Sequence, residues 1–134
     1  MKTYGVAWIA TAAAFLALDA VWLSLAASRL YKPLLGGLLR EPFQLTPAVL
    51  FYLIFTTGIV VFAVAPSLDS PRWTNAALRG AFFGFVGYAV YDLTNQATLN
   101  GWPVTITVAD LIWGTALTAV AATAGYFAAR AVSP

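Results

Sequence analysis

The stretch Pro103-Val-Thr-Ile-Thr-Val-Ala-Asp110-Leu-Ile-Trp113-Gly114-Thr-Ala-Leu-Thr-Ala-Val-Ala-Ala-Thr-Ala-Gly-Tyr-Phe-Ala-Ala129 holds one charged side chain, Asp110. It exceeds the about 20 mostly apolar residues that carry a helix across a bilayer, and it predicts a transmembrane helix. Three more stretches follow the same pattern. Gly5 to Ala27 is interrupted only by Asp19. Pro47 to Ala65 is free of charge and is closed by Pro66, whose missing N–H ends a helix. Ala76 to Ala97 carries Arg79 at its entry, where a long stem can snorkel to the interface, and Asp92 near its exit. The pattern predicts an all-α, polytopic integral membrane protein: one domain, residues 1–134, of four transmembrane helices in a compact bundle with both termini on one side.

Composition points the same way. Of 134 residues, 61% are hydrophobic and only 9% charged, with a mean hydropathy of +0.82. Soluble domains carry about 25% charged residues, and a short chain needs them to cover its large surface. The solvent is therefore a bilayer. Cysteine and histidine are both absent from the sequence. That excludes disulfides, thiolate or imidazole zinc sites, histidine-ligated haem and triads built on His or Cys. No metal site or resident cofactor is expected, and only oxygen chemistry remains. The seven basic residues are scattered, with no run that would bind nucleic acid.

The joining segments are short except Ser28 to Thr46, which holds Arg29, Lys32, Arg40 and Glu41 around Leu34-Leu35-Gly36-Gly37-Leu38-Leu39. It is too short to span and too apolar to be freely solvated, and reads as a loop lying at the interface; an irregular loop is the alternative. Lys2 before an apolar run ending in Ala26-Ala27-Ser28 resembles a secretory leader, but the run is too long and contains Asp19. Basic residues divide nearly evenly: Lys2, Arg72, Arg79 and Arg130 on the side of the termini, Arg29, Lys32 and Arg40 on the other. This slightly favours both termini inside and leaves an antiparallel homodimer, inserted both ways, open.

Asp19, Asp92 and Asp110 lie inside spans whose nearer ends share one side. At about 1.5 Å per residue, each carboxylate sits about 8 to 12 Å below that surface. On the third helix Tyr88, Asp92 and Asn95 share a face, flanked by Tyr91, with Gly80, Gly84 and Gly87 on an adjoining stripe. On the fourth, the direction of Asp110 is continued by Gly114, Leu117, Ala121, Ala124 and Ala128, a largely small-residue stripe suited to close approach of another helix. One Asp at a span centre costs about 2.5 to 3.5 kcal/mol. Three without partners would cost about 8 to 10 kcal/mol, comparable with a whole domain's stability of about 5 to 15 kcal/mol. They must be protonated, paired or solvated, and one polar vestibule could contain all three. The alternative is a network that only fixes helix register. Asp19-Ala-Val-Trp22 and Asp110-Leu-Ile-Trp113 share an Asp-x-x-Trp pattern, which places each indole beside its own carboxylate on helices of opposite direction. Trp73 and Trp102 read as interfacial anchors.

These residues also carry a family resemblance. Leu18-Asp19-Ala-Val-Trp22-Leu23, Phe51-Tyr52-Leu-Ile-Phe55 followed by Gly58, Tyr88-Ala-Val-Tyr91-Asp92-Leu-Thr94-Asn95-Gln-Ala97-Thr98, and Asp110-Leu-Ile-Trp113-Gly114-Thr115 resemble the bacterial membrane-protein family catalogued as domain of unknown function 2177. The resemblance covers nearly the whole chain and implies a four-helix protein of the inner membrane. It carries over no activity. Association of family members with genes for fatty-acyl modification implies a lipid setting.

The leading functional expectation is a non-enzymatic binding or transport protein for a cation, proton or amine-bearing substrate. Asp92 would be the principal ligand, Asp19 and Asp110 its partners, with Tyr88, Tyr91 and Asn95 as neutral hydrogen-bonding groups and Trp22 and Trp113 beside the carboxylates. A lipid ligand is the second expectation, with the protein an enzyme or accessory subunit of fatty-acyl modification. The third is a structural partner of larger membrane proteins.

Overall fold

Backbone N–H and C=O groups find no partners in hydrocarbon, so an apolar chain of this length satisfies them within helices. The computed structural model describes residues 1–133. Helix α1 (Lys2–Ala26) passes through a π-helical turn (Ala27–Tyr31) into the short α2 (Lys32–Leu35) and a 3-10 turn (Gly36–Leu38). Helix α3 (Leu45–Ile59) continues through a second π-helical turn (Val60–Val64), and α4 (Trp73–Thr98) and α5 (Val104–Val132) complete the chain. Lys2–Leu38, Leu45–Ser67 and Val104–Val132 are long and apolar enough to cross a membrane. α4 has the length, since its 26 residues extend about 39 Å against an about 30 Å hydrocarbon layer. Arg79, Asp92, Asn95 and Gln96 make it the most polar of the four.

The segment expected as an interfacial loop over 28–46 is helical through Leu38. No glycine or proline stands between Ala20 and Lys32 to stop α1, and Pro33 falls at the start of α2, where its missing N–H is not needed. Beyond the turn the chain is superficial: Leu34, Leu38 and Phe43 are exposed, and Lys32 pairs with Glu41 at 3.7 Å. The second π-helical turn lies just before Pro66, whose ring disfavours regular α-helical closure against the preceding turn.

Helix α5 is central, packing most extensively on α4 and then on α1. Small residues permit this. A Cβ built on Gly80 would stand 2.6 Å from the Ala122 Cβ, one on Gly84 would strike the Gly114 carbonyl and Thr118, and Gly125 abuts Thr11 and Ala7. Gly114, Leu117 and Ala121 of the expected stripe are buried, but the lower part of the buried face turns to Ala122, Gly125 and Ala129. Contact with two helices makes that face broader than one stripe. Outward, Ile9, Ile54, Leu78, Phe82 and Ile112 are exposed, as a lipid-facing surface requires.

Ala7 near the start of α1 meets Gly125 near the end of α5, and the Trp8 indole donates to Thr57 Oγ1 at 3.1 Å. At the same end, Tyr126 donates to the Ser70 carbonyl at 2.7 Å. The helices therefore alternate in direction, and both ends of the described chain share one end of the bundle. The α4–α5 turn at the opposite end uses Gly101 at φ +77°, a conformation L side chains rarely adopt.

Candidate functional site

Asp19, Asp92 and Asp110 are all buried: 7%, 0% and 7% exposed. They occupy the half of the bundle nearer the α4–α5 turn. Asp19 on α1 accepts from the Tyr52 hydroxyl of α3 at 2.5 Å and from the Trp113 indole N–H of α5 at 3.2 Å. Asp110 on α5 accepts from the Tyr31 hydroxyl, which in turn accepts from the Trp22 indole N–H at 3.0 Å. Asp19 and Asp110 thus each have a tyrosine donor, and an indole in direct or second position.

The Asp-x-x-Trp spacing places each indole near the carboxylate of its own helix, but the hydrogen bonds run otherwise. The structure crosses them: Trp113 of α5 serves Asp19 of α1, and Trp22 of α1 reaches Asp110 of α5 through Tyr31. The physical reason is the stack of the two indoles, centroids 4.7 Å apart and planes 11° from parallel, across the antiparallel α1–α5 contact. The Trp113 N–H thereby reaches Asp19 on the other helix, while the Trp22 N–H stays with Tyr31 on the continuation of its own. The π-helical turn Ala27–Tyr31 inserts a residue into α1 and swings the Tyr31 hydroxyl inward to Asp110. Such turns recur at functional sites.

These groups enclose a cavity of about 350 Å³. Asp19 and Asp110 contribute its carboxyl groups, and Trp22, Trp113, Tyr31, Tyr88, Phe51 and Phe55 most of its aromatic wall. Leu23, Phe51 and Tyr91 line it and are also exposed on the outside of the bundle, so it communicates with the lipid-facing surface. The Tyr88 ring packs over Gly114, where a Cβ would collide with it, and meets Phe55 edge-on at 6.1 Å.

Asp92, expected to be the principal ligand, does not line the cavity. It lies behind Asp110 at the α4–α5 contact: Tyr88 packs on Gly114, and one turn further along this antiparallel pair Asp92 stands opposite Asp110. No donor is offered to either of its oxygens. Asn95 is half-buried beside Tyr91 and also stands outside the cavity wall. Tyr91 packs edge-on against Trp102 at 5.9 Å, and Trp102 donates to Thr107 Oγ1 at 3.1 Å. Among the described residues, no three carboxylates gather closely enough to hold a metal ion.

Tyr31, Tyr52, Phe51 and Phe55 belong to the site and were not singled out as site residues from sequence. Phe51, Tyr52 and Phe55 fall within the Phe-Tyr-x-x-Phe run of α3, which is a signal. Tyr31 had none, because its position depends on the turn at the end of α1.

No curated protein and no solved structure matches this chain. A family model described as "predicted membrane protein" matches residues 4–127. That match runs from the first turns of α1 to the last turns of α5 and includes every aspartate, tyrosine and tryptophan of the cavity, and the chain belongs to this family, DUF2177.

Proposed function

We propose that this membrane protein binds an organic cation, of which an amine-bearing amphiphile is the natural example, in the cavity between Asp19 and Asp110. The observation that carries the reading is the pairing of two carboxyl groups with stacked and edge-on aromatic rings around one space. Aromatic faces attract a cation by about 0.5 to 2 kcal/mol, and a carboxylate fixes its position. Hard metal ions prefer six or more oxygen ligands, for which the site offers no gathered set. The opening beside Leu23, Phe51 and Tyr91 supports entry from the lipid. The setting we propose is a bacterial inner membrane with both termini inside.

Benzyltrimethylammonium combines a quaternary charge with one ring, and neopentylbenzene is its neutral isostere. The expected result, read by tryptophan fluorescence of the protein in nanodiscs, is saturable binding of the cation and little binding of the isostere. Asp19→Asn and Asp110→Asn are each expected to weaken the cation about tenfold or more, or about 1.4 kcal/mol. No saturable binding, or binding by both variants as tight as that of the parent, would overturn the reading. Equal binding of the isostere would instead favour an acyl chain in the cavity and a role in lipid modification.

A further inference from the structure

Asp92 is buried, lacks a donor at either oxygen, and stands opposite Asp110 across the α4–α5 contact, the most extensive helix pairing among the described residues, one turn beyond the contact of Tyr88 with Gly114. Two carboxyl groups so placed in a low-dielectric interior cannot both be ionised unless a cation lies beside them. The surrounding elements supply none. From the end of α1 comes the Tyr31 hydroxyl, from α4 Tyr88 and Tyr91, and from α1 Asp19, itself held by Tyr52 of α3. Among the described residues, no lysine or arginine forms an ion pair with Asp19, Asp92 or Asp110. Asp110 thus has two faces: one toward the cavity and one toward Asp92.

We propose that Asp92 and Asp110 share one proton when no cation is bound and that an organic cation binding at Asp110 expels it, so that the site exchanges one cation for one proton. This rests on the cation-binding reading above and assigns a role to Asp92. A positive charge on the cavity face of Asp110 draws electron density from its far face and weakens the bridge. The O–H bond breaks, its electron pair stays on the carboxylate, and the proton leaves to water. One positive charge replaces another, so the net charge of the buried site does not change. Exchange of this kind makes cation affinity rise by about tenfold per pH unit wherever the pair releases its proton on binding.

The test is calorimetric titration of the reconstituted full chain with benzyltrimethylammonium, in phosphate and in Tris buffer, over a series of pH values. The two buffers differ in ionisation enthalpy, so their difference reads the protons released per cation bound. About one proton released, with affinity rising with pH, supports the exchange. Asp92→Asn should retain binding while losing both the release and the pH dependence. Infrared difference spectra of the parent give a second reading independent of any variant: the carbonyl band of a protonated carboxyl should vanish on binding. Binding with no proton release and no loss of that band overturns the exchange and leaves cation binding intact. No binding at any pH overturns both.

Discussion

Asp19 and Asp110 are held by equivalent kinds of donors, but the consequences of losing them differ. Tyr31 serves two partners, since its hydroxyl donates a hydrogen bond to Asp110 and accepts one from the Trp22 indole N–H. Tyr52 gives one bond to Asp19, which keeps the Trp113 indole when Tyr52 is gone. Leaving a buried polar group unpaired costs about 1 to 3 kcal/mol. Tyr31→Phe strands two such groups, and Tyr52→Phe only part of one carboxyl. The expected outcome in unfolding titrations in detergent is a clear loss of stability for Tyr31→Phe and a smaller one for Tyr52→Phe. Equal losses would mean that the Trp22–Tyr31–Asp110 chain does not act as a unit. The aspartates were legible in the sequence because a carboxylate in an apolar span has few explanations. Tyr31 was not, because a tyrosine near a membrane surface is ordinarily an anchor, and only the packed helices show where its hydroxyl points.

At the level of the helix, spans were legible and junctions were not. Charge-poor length marks α1, α3 and α5 directly, because lipid leaves the backbone no alternative to a helix, and Pro66 and Pro103 mark the close of the α3 span and the start of α5. The π-helical turn at Ala27–Tyr31 is followed two residues on by Pro33, as the second turn is by Pro66, but that it carries Tyr31 inward shows only against Asp110 of another helix. The crossed indoles were hidden for the same reason, since i, i+3 spacing describes one helix and the stack belongs to two. The glycine stripe of α4 was visible as a weak pattern, and the structure gives it a consequence. Gly84→Val would push a side chain into the Gly114 carbonyl and Thr118. Overpacking of this kind costs about 1 to 3 kcal/mol, and more where backbone must move. Gly5, with open space around it, should accept Val within about 0.5 kcal/mol. Comparable effects of Gly84→Val and Gly5→Val on thermal unfolding would contradict the close α4–α5 contact that sets Asp92 against Asp110.

For the molecule as a whole, helix direction decides which water phase the cavity lies nearest. Ala7 against Gly125 and Tyr126 against Ser70 place both ends of the described chain at one end of the bundle. The cavity lies toward the other end, where Tyr91 packs on Trp102 just before α5. The chain has no cysteine, so single cysteines placed at exposed positions report on side without background. Lys2→Cys and Ala131→Cys should be modified by a membrane-impermeant maleimide from one side of sealed vesicles, and Asn100→Cys from the opposite side. Modification of Lys2→Cys and Ala131→Cys from opposite sides would contradict the alternating arrangement. With basic residues so evenly divided, insertion in both orientations has a distinct signature: each of the three positions would be half-modified from either side. A single orientation with Asn100→Cys modified from outside would place the cavity nearer the external surface. Protons expelled from the Asp92–Asp110 pair would then have their shortest exit to the external phase, so added organic cation should acidify the medium before it changes the vesicle interior.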